Sequence, residues 1–272
     1  MNIIGHSLLL LCCLFWTSSI ATENNPNTIK NHVWYKQITG FYSIVIPLKN
    51  EEGNIELLID EIEPVMNGLN VDWELICIDD GSTDGTKDIL LRLMKVKTYL
   101  KTIFFDKNYG QSSALDAGFK MARGDFVISL DGDGQNDPAD IPKLIAHIEN
   151  ADLVCGMRVN RKDPVYTCLI SAIANRIRSW LLNDKIRDTG CSLKIYRKEC
   201  LAHIKMYQGM HRFLPALFII EGFRVCEIPV NHRERLKGIS NYNLFNRCFN
   251  TVSDLFAVYW MQKRHLNYRI EN

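Results

Sequence analysis

The sequence predicts an α/β fold: a mainly parallel sheet with helices on both faces. Three observations carry that expectation. From residue 41 onward, short β-branched runs alternate with stretches whose apolar residues recur at helical spacing. Polar, Asp- and Asn-rich motifs follow three of the apolar runs, where ligands bind in parallel sheets. The chain, 272 residues with 47% hydrophobic and 23% charged content, is sized for one substantial globular domain with extensions.

Taken in order, YSIVIPL (42–48) reads as the first strand and EEGNIELLIDEIEPVMNGL (51–69) as a helix. WELICID (73–79) is the second strand, and DGTKDILLRLMKV (84–96) a helix with acid in its first turn. YLKTIFF (99–105) and GDFVISL (124–130) are further strands around a helical GQSSALDAGFKMAR (110–123). ADLVCGM (151–157) is a fifth strand. Such alternation implies right-handed crossovers. Beyond it, VYTCLISAIANRIRSWLL (165–182) reads as a helix and RDTGCSLKIYRKE (187–199) has strand character in its middle. GMHRFLPALFIIEGF (209–223) is helical, FRVCEIPV (223–230) a late strand, and NLFNRCFNTVSDLFAVYWM (243–261) a helix with a broad apolar face.

Four segments follow: an apolar stretch 1–21, a polar linker 22–40, a main domain 41–240, and an amphipathic helix with a basic tail 241–272. The first stretch reads as a membrane anchor, a signal-like segment or translated sequence ahead of the true start. A net charge of +1 gives no global basic field and argues against nucleic acid as a partner. Nine cysteines, scattered singly apart from the adjacent Cys12 and Cys13, form no C-x-x-C pair; an odd count among apolar neighbours suits free thiols in a reducing compartment.

PLKNEE (47–52), DDGSTDGT (79–86) and DGDGQNDP (131–138) leave the first, second and fourth strands and should line one crevice. Each alone also reads as a helix cap, by Asn50, by Ser82 or Thr83, or by Asp137. Crowded carboxylates with an amide are hard oxygen donors; they suit Mg²⁺ or Mn²⁺ shared with phosphate oxygens, not zinc. The chain contains no G-x-x-x-x-G-K-[ST] phosphate loop.

SIVIPLKNEEGNI, DDGSTDGT, NYGQSSALDAGFKMARGD, LDGDGQNDP, DTGCSLKIYRKE and RLKGISNY, in that order, resemble the family 2 glycosyltransferases of GT-A fold. More narrowly they resemble the dolichyl- and polyprenyl-phosphate sugar transferases, over about residues 41 to 262. The resemblance implies a GT-A-type, Rossmann-like sheet with a C-terminal amphipathic helix. It implies inverting transfer of a sugar from a nucleoside-diphosphate donor to a dolichyl or undecaprenyl phosphate, feeding cell-envelope glycan, lipopolysaccharide or glycoprotein modification. Pro47, Asn50, Glu51, Asp79 and Asp80 match the nucleotide-binding positions, and Asp131 and Asp133 the DxD pair, with Gln135 completing the metal shell. Arg158 and Ser171 match acceptor-phosphate positions, and Arg235 the late arginine that reaches the donor diphosphate. Two departures stand out: Asn241 replaces an expected lysine, leaving Lys237 as the nearest substitute, and Thr167 an expected arginine, for which Arg161 substitutes.

A phosphate monoester is already anionic near neutral pH, so this reaction requires no strong base. Transfer to a sugar or protein hydroxyl would need one, and Asp188 is then the first suspect. A processive polysaccharide synthase would carry Q-x-x-R-W, to which QGMHRF (208–213) is a poor match. A catalytically silent nucleotide-binding or assembly protein is the remaining alternative. His211 reads as a cap or packing residue and Asp116 as a cap or ion-pair partner. Phe245, Phe249, Val252, Phe256, Tyr259 and Trp260, flanked by Arg247, Lys263, Arg264 and Arg269, form a face for a membrane surface, for the sheet or for a second subunit. With a lipid acceptor, the expected location is the cytoplasmic face of a membrane, peripheral or held by one N-terminal anchor.

Overall fold

A computed structural model of the chain describes residues 39–159, 165–234 and 244–266, with the side chains of 165–171 and 244–250 outside the description. The expected segment 1–21 and residues 22–38 of the expected linker 22–40 therefore lie outside the described residues. Seven strands form one sheet: β1 (Phe41–Leu48), β2 (Asp72–Asp79), β3 (Leu100–Phe104), β4 (Phe126–Ser129), β5 (Leu153–Arg158), β6 (Lys194–Arg197) and β7 (Val225–Val230). Their order is β3-β2-β1-β4-β6-β5-β7. Eight helices accompany them: α1 (Ile55–Gly68), α2 (Thr86–Leu93), α3 (Gln111–Met121), α4 (Ile141–His147), α5 (Val165–Leu182), α6 (Lys198–Leu201), α7 (Leu214–Ile220) and α8 (Leu244–Arg264). The mainly parallel α/β sheet expected from the sequence is borne out.

Alternate side chains of the strands feed two apolar layers. Ile44, Ile46, Leu48, Leu75, Cys77 and Ile128 pack on one face against Ile55, Ile59, Ile62 and Leu144 of α1 and α4. Val45, Ile76, Ile78 and Val127 pack on the other against Ala114, Leu115 and Phe119 of α3 and Phe218 of α7. α3 lies close on the sheet because Gly118 has no side chain; a Cβ there would stand 2.4 Å from Val45 Cγ1 and 2.7 Å from Ile78 Cδ1. Cys77, Cys155, Cys191 and Cys200 are free thiols within this core.

Several element edges differ from the sequence reading, and α4 was not foreseen in it; two of the differences shape the site. The helix expected from residue 51 starts at Ile55, because 51–54 form a turn in which the Asn54 and Ile55 N–H groups both donate to the Glu51 carbonyl at 3.0 Å. The helix expected over 209–223 is a 3₁₀ turn, Met210–Phe213, that leads into α7.

The strand in 187–199 is the consequential one. β6 pairs antiparallel with both β4 and β5, with Lys194 opposite Ser129 and opposite Cys155. All other pairings are parallel. Because β6 alone is reversed, the residues before it, 188–192, lie at the same edge as the residues after β4 and β5. DTGCS is thereby carried to the carboxyl edge of the sheet.

At the opposite edge Glu74 is buried, accepting hydrogen bonds from Ser43 Oγ (2.7 Å), Lys101 Nζ (2.6 Å) and the Arg123 backbone N–H (2.8 Å). Burial pushes its carboxyl up, but the Lys101 ammonium and these donors outweigh it and hold the group below the ordinary glutamate range. A depressed folded-state pKa contributes stability that is complete above the unfolded value of about 4 and is lost as pH falls through the folded value. The stability advantage of the native chain over Glu74→Gln, from urea unfolding at a series of pH values, is therefore expected to shrink below about pH 4.

Candidate functional site

The site is built from loops at the carboxyl edge. β1 and β2 end in register, Leu48 opposite Asp79, so their outgoing loops run side by side. The two are stitched together. Asn50, in the left-handed region at φ 57°, donates its N–H to Ser82 Oγ at 2.8 Å and accepts at Oδ1 from the Thr83 N–H at 2.8 Å. The Glu51 N–H donates to Thr86 Oγ1 at 2.8 Å, and Glu52 Oε2 accepts from the Gly85 N–H at 2.6 Å. Asn50 thus joins two loops and caps no helix. Pro47 lies in β1 itself, next to its last residue.

Asp79 and Asp80 are buried and act differently. Asp79 Oδ1 accepts from the Ser82 N–H at 2.9 Å, closing its own turn. Asp80 takes the Tyr109 and Gly110 N–H groups at 2.6 and 2.8 Å, fixing the loop that leaves β3 and the start of α3. From that start, Gln111 Nε2 donates to Asp131 Oδ1 at 2.8 Å. Three sequence motifs and the α3 N-terminus are therefore one hydrogen-bonded assembly.

The acidic loop after β4 turns through Gly134, whose φ of 75° favours glycine. Asp133 is buried beside Asp131 and accepts at Oδ1 from the Gln135 N–H at 3.1 Å. Burial and the Asp133 charge push the Asp131 carboxyl up to about 6, against the opposing pull of Ser192, Lys194 and Arg158. Asp137 accepts from the Ala139 N–H at 3.0 Å and caps a 3₁₀ turn, Pro138–Asp140, so that capping reading holds for it.

The segment after β7 is zipped onto this loop. Gln135 O accepts from the Arg233 N–H at 3.0 Å, Asn136 and His232 form an isolated antiparallel bridge, and Arg233 pairs with Asp137 (2.7 Å) and Glu61 (2.5 Å). These contacts bring His232 to the site. Across from it, at the end of β5, the Arg158 guanidinium is held bidentately by Asp188, Nε to Oδ2 at 2.8 Å and Nη2 to Oδ1 at 2.9 Å. Asp188 is itself fixed by its own N–H, which donates to Glu227 Oε1 at 2.8 Å. A small cleft results, lined by Asp131, Gln135, Asn136, Arg158, Gly190, Cys191, Ser192 and His232.

The structure thus brings Asp131, Gln135 and Arg158 to one cleft, with Asp133 in the same loop, Asn50, Glu51 and Asp80 on the neighbouring loops, and Pro47 and Asp79 at the ends of β1 and β2. Arg161 and Arg235 lie outside the described residues, as does the Ser171 side chain. His211, read as a cap or packing residue, shares a 2.7 Å hydrogen bond between its Nδ1 and Ser112 Oγ. Asp116 pairs with Lys120 at 2.6 Å. Sequence reasoning missed His232, Gln111, Asn136 and Ser192.

The donor set fits a divalent cation. The carboxylates of buried Asp133 and half-buried Asp131 repel, which helps raise the Asp131 carboxyl, and a cation taken by both would offset that repulsion. Among the described residues no group of three or more His, Cys, Asp or Glu side chains could hold a metal ion; Asp131, Asp133 and Gln135 would share a hard cation with phosphate oxygens.

A family model described as glycosyl transferase family 2 matches residues 43–205. Among curated proteins, a dodecaprenyl-phosphate galacturonate synthase of Rhizobium johnstonii is 36% identical over 233 residues, covering 81% of this chain and 67% of the relative. An undecaprenyl-phosphate 4-deoxy-4-formamido-L-arabinose transferase of Salmonella choleraesuis is 35% identical over 215 residues, covering 78% of this chain and 65% of the relative. The match thus spans about two thirds of the length of these relatives. Among solved structures, glucosyl-3-phosphoglycerate synthase from Mycobacterium tuberculosis, in complex with Mn²⁺, UDP-glucose and phosphoglyceric acid, superposes with a TM-score of 0.64 at 19% identity. That superposition covers 84% of this chain and 81% of the other.

Proposed function

We propose that this chain, which belongs to glycosyl transferase family 2, transfers a sugar from a nucleoside-diphosphate donor to the phosphate of a polyprenyl monophosphate. The observation that carries the reading is the two-sided cleft. One wall holds Asp131 and Gln135, with Asp133 in the same loop, suited to a cation-bound diphosphate, and the other a fixed guanidinium, suited to a phosphate monoester.

The loops around Asn50 and Asp79 receive the nucleoside, and Asp80 holds the β3 exit loop against them. Asp131, Asp133 and Gln135 would hold Mg²⁺ or Mn²⁺, which when bound would supply positive charge to the departing diphosphate. Arg235, by its match to the family pattern, adds a second cation to that diphosphate. Arg158 orients the acceptor phosphate, with Arg161 and Ser171 as its companions. An acceptor phosphate oxygen attacks the anomeric carbon from the side opposite the diphosphate. The new C–O bond forms as the bond to the β-phosphate oxygen breaks, inverting the centre and releasing the nucleoside diphosphate. The acceptor carries its negative charge from the outset, so no residue has to remove a proton.

A hydroxyl acceptor fits less well. The base it would need, Asp188, has its carboxylate committed to Arg158 and to the Arg158 and Gly190 N–H groups at 3.1 and 3.2 Å. Asp188 is a positioning residue: Asp188→Asn is expected to raise the acceptor KM about 10- to 100-fold while leaving nucleotide affinity unchanged. Steady-state kinetics with each substrate varied, beside calorimetric titration of the nucleotide, separate the two effects.

The enzyme works at the cytoplasmic face of a membrane, where a lipid-linked acceptor and a cytosolic donor meet. Among the described residues no helix is long and apolar enough to cross a bilayer. The test is incubation of labelled UDP- and GDP-sugars with undecaprenyl or dolichyl phosphate in detergent, with Mn²⁺ or Mg²⁺. A lipid-linked sugar from one donor supports the proposal; transfer only to sugar or protein hydroxyls replaces it.

A further inference from the structure

Lys194 is a cation buried in the sheet that the reaction above does not use. It lies in β6, 3% exposed, opposite Ser129 of β4 and Cys155 of β5. Residues paired across strands point to one face, and here that face is the layer of Val127, Cys155 and Tyr196, on which α3 packs. Asp131, two residues beyond Ser129, is met on this side by Gln111 of α3. The Lys194 ammonium donates to the carbonyl of Cys191, which lines the cleft. Among the described residues it has no carboxylate at ion-pair distance. Glu227, opposite Cys155 on β7, has its two oxygens on the Arg187 and Asp188 N–H groups at 2.8 Å each.

A buried charge with no close partner is costly unless other charges nearby balance it. The acids of the loop after β4 supply that balance: Lys194 is among the groups that pull the Asp131 carboxyl down, against burial and the Asp133 charge. The same ammonium bears on what the loop can hold. It repels an incoming divalent cation, and two carboxylates with one amide are too few ligands to offset that repulsion. A diphosphate reverses the sign. It brings further oxygens to the cation, and its negative charge is attracted by the ammonium.

We infer that Lys194 is a positioning residue that acts through charge: it makes the acidic loop a poor site for a cation alone and a good site for a cation carried with the donor diphosphate. The inference rests on the cation and donor proposed above. It adds to them a residue outside the lining of the cleft that couples the two.

The test measures binding apart from turnover. Calorimetric titrations with Mn²⁺ alone, with UDP or GDP alone, and with Mn²⁺ in the presence of each nucleotide compare the full wild-type chain with Lys194→Met, Lys194→Gln and Lys194→Arg. Wild type is expected to bind Mn²⁺ at least about tenfold more tightly with its nucleotide than without it. The two neutral variants should bind Mn²⁺ alone about tenfold more tightly than wild type, and nucleotide in the presence of Mn²⁺ about tenfold more weakly. Lys194→Arg should keep the wild-type pattern. Loss of a merely structural residue would weaken both ligands, so the gain in cation affinity is the diagnostic readout. Lys194→Gln keeps a donor for the Cys191 carbonyl and carries the test if the methionine variant does not fold. Mn²⁺ binding that is unchanged or weaker in the folded neutral variants overturns the inference. So does wild type that binds Mn²⁺ equally with and without nucleotide, or failure of both neutral variants to fold, since the charge would then serve the fold. If the binding pattern holds but no sugar reaches polyprenyl phosphate, the proposed reaction falls and the role of Lys194 stands.

Discussion

Asp133→Asn is expected to lower kcat for sugar transfer by about 10²–10³-fold, the scale on which losing one electrostatic stabiliser of the departing group falls. The substitution is isosteric, and its amide oxygen still accepts from the Gln135 N–H, so the loop geometry survives. It also removes the neighbour whose charge helps raise the Asp131 carboxyl to about 6. In metal-free buffer the variant should therefore melt no lower than wild type, and its gain in Tm on adding Mn²⁺ with nucleotide should be smaller. Measured together, kcat and Tm separate this account from a structural one: a variant that is inactive because it misfolds would melt lower in metal-free buffer. An unchanged kcat would remove Asp133 from the cation site.

Arg178→Ala is expected to destabilise the fold by about 3–5 kcal/mol, the range for leaving one member of a buried ion pair without its partner. The two side chains are 6% and 1% exposed. Burial pulls the Arg178 guanidinium below its ordinary range despite the opposing Asp184 charge. Without the arginine, the Asp184 carboxylate keeps only the Ile186 N–H at 3.1 Å among its hydrogen bonds described here, and the Ile186 carbonyl loses a donor. Urea unfolding at neutral pH measures the loss. The double variant Arg178→Met, Asp184→Leu should recover much of it, because it removes the buried charge along with its partner. Because the same pair fixes the segment carrying Asp188, residual activity of Arg178→Ala at low temperature should show a raised acceptor KM.

Much of the fold was legible because its signals are local. The apolar runs of β1 to β5 and the helical spacing of α3 and α5 lie within single segments, and parallel connection follows from their alternation. The direction of β6 was not legible. Period-two alternation marks a strand without orienting it, and the reversal depends on pairing with β4 and β5. That reversal decides the meaning of DTGC. Asp188 reads as a candidate base while its partner is unknown, and Arg158 lies thirty residues away in sequence. The same holds for Asn50, which looks like a cap until β1 and β2 are seen to end in register. Carboxylates crowded at a strand end were visible because like charges close together call for a cation whatever the fold. His232 escaped because one histidine in a polar stretch carries no period, and only its bridge to Asn136 places it beside the acids.

The most direct measurement compares undecaprenyl phosphate with undecaprenol as acceptors for the same donor sugar, identifying the lipid product by mass. The proposed reaction, in which Arg158 orients a phosphate and no residue acts as a base, predicts glycosyl phosphate from the first and no product from the second. Comparable transfer to the free alcohol would contradict the account, because a lining residue such as His232 or Asp131 would then have to take the proton of the hydroxyl.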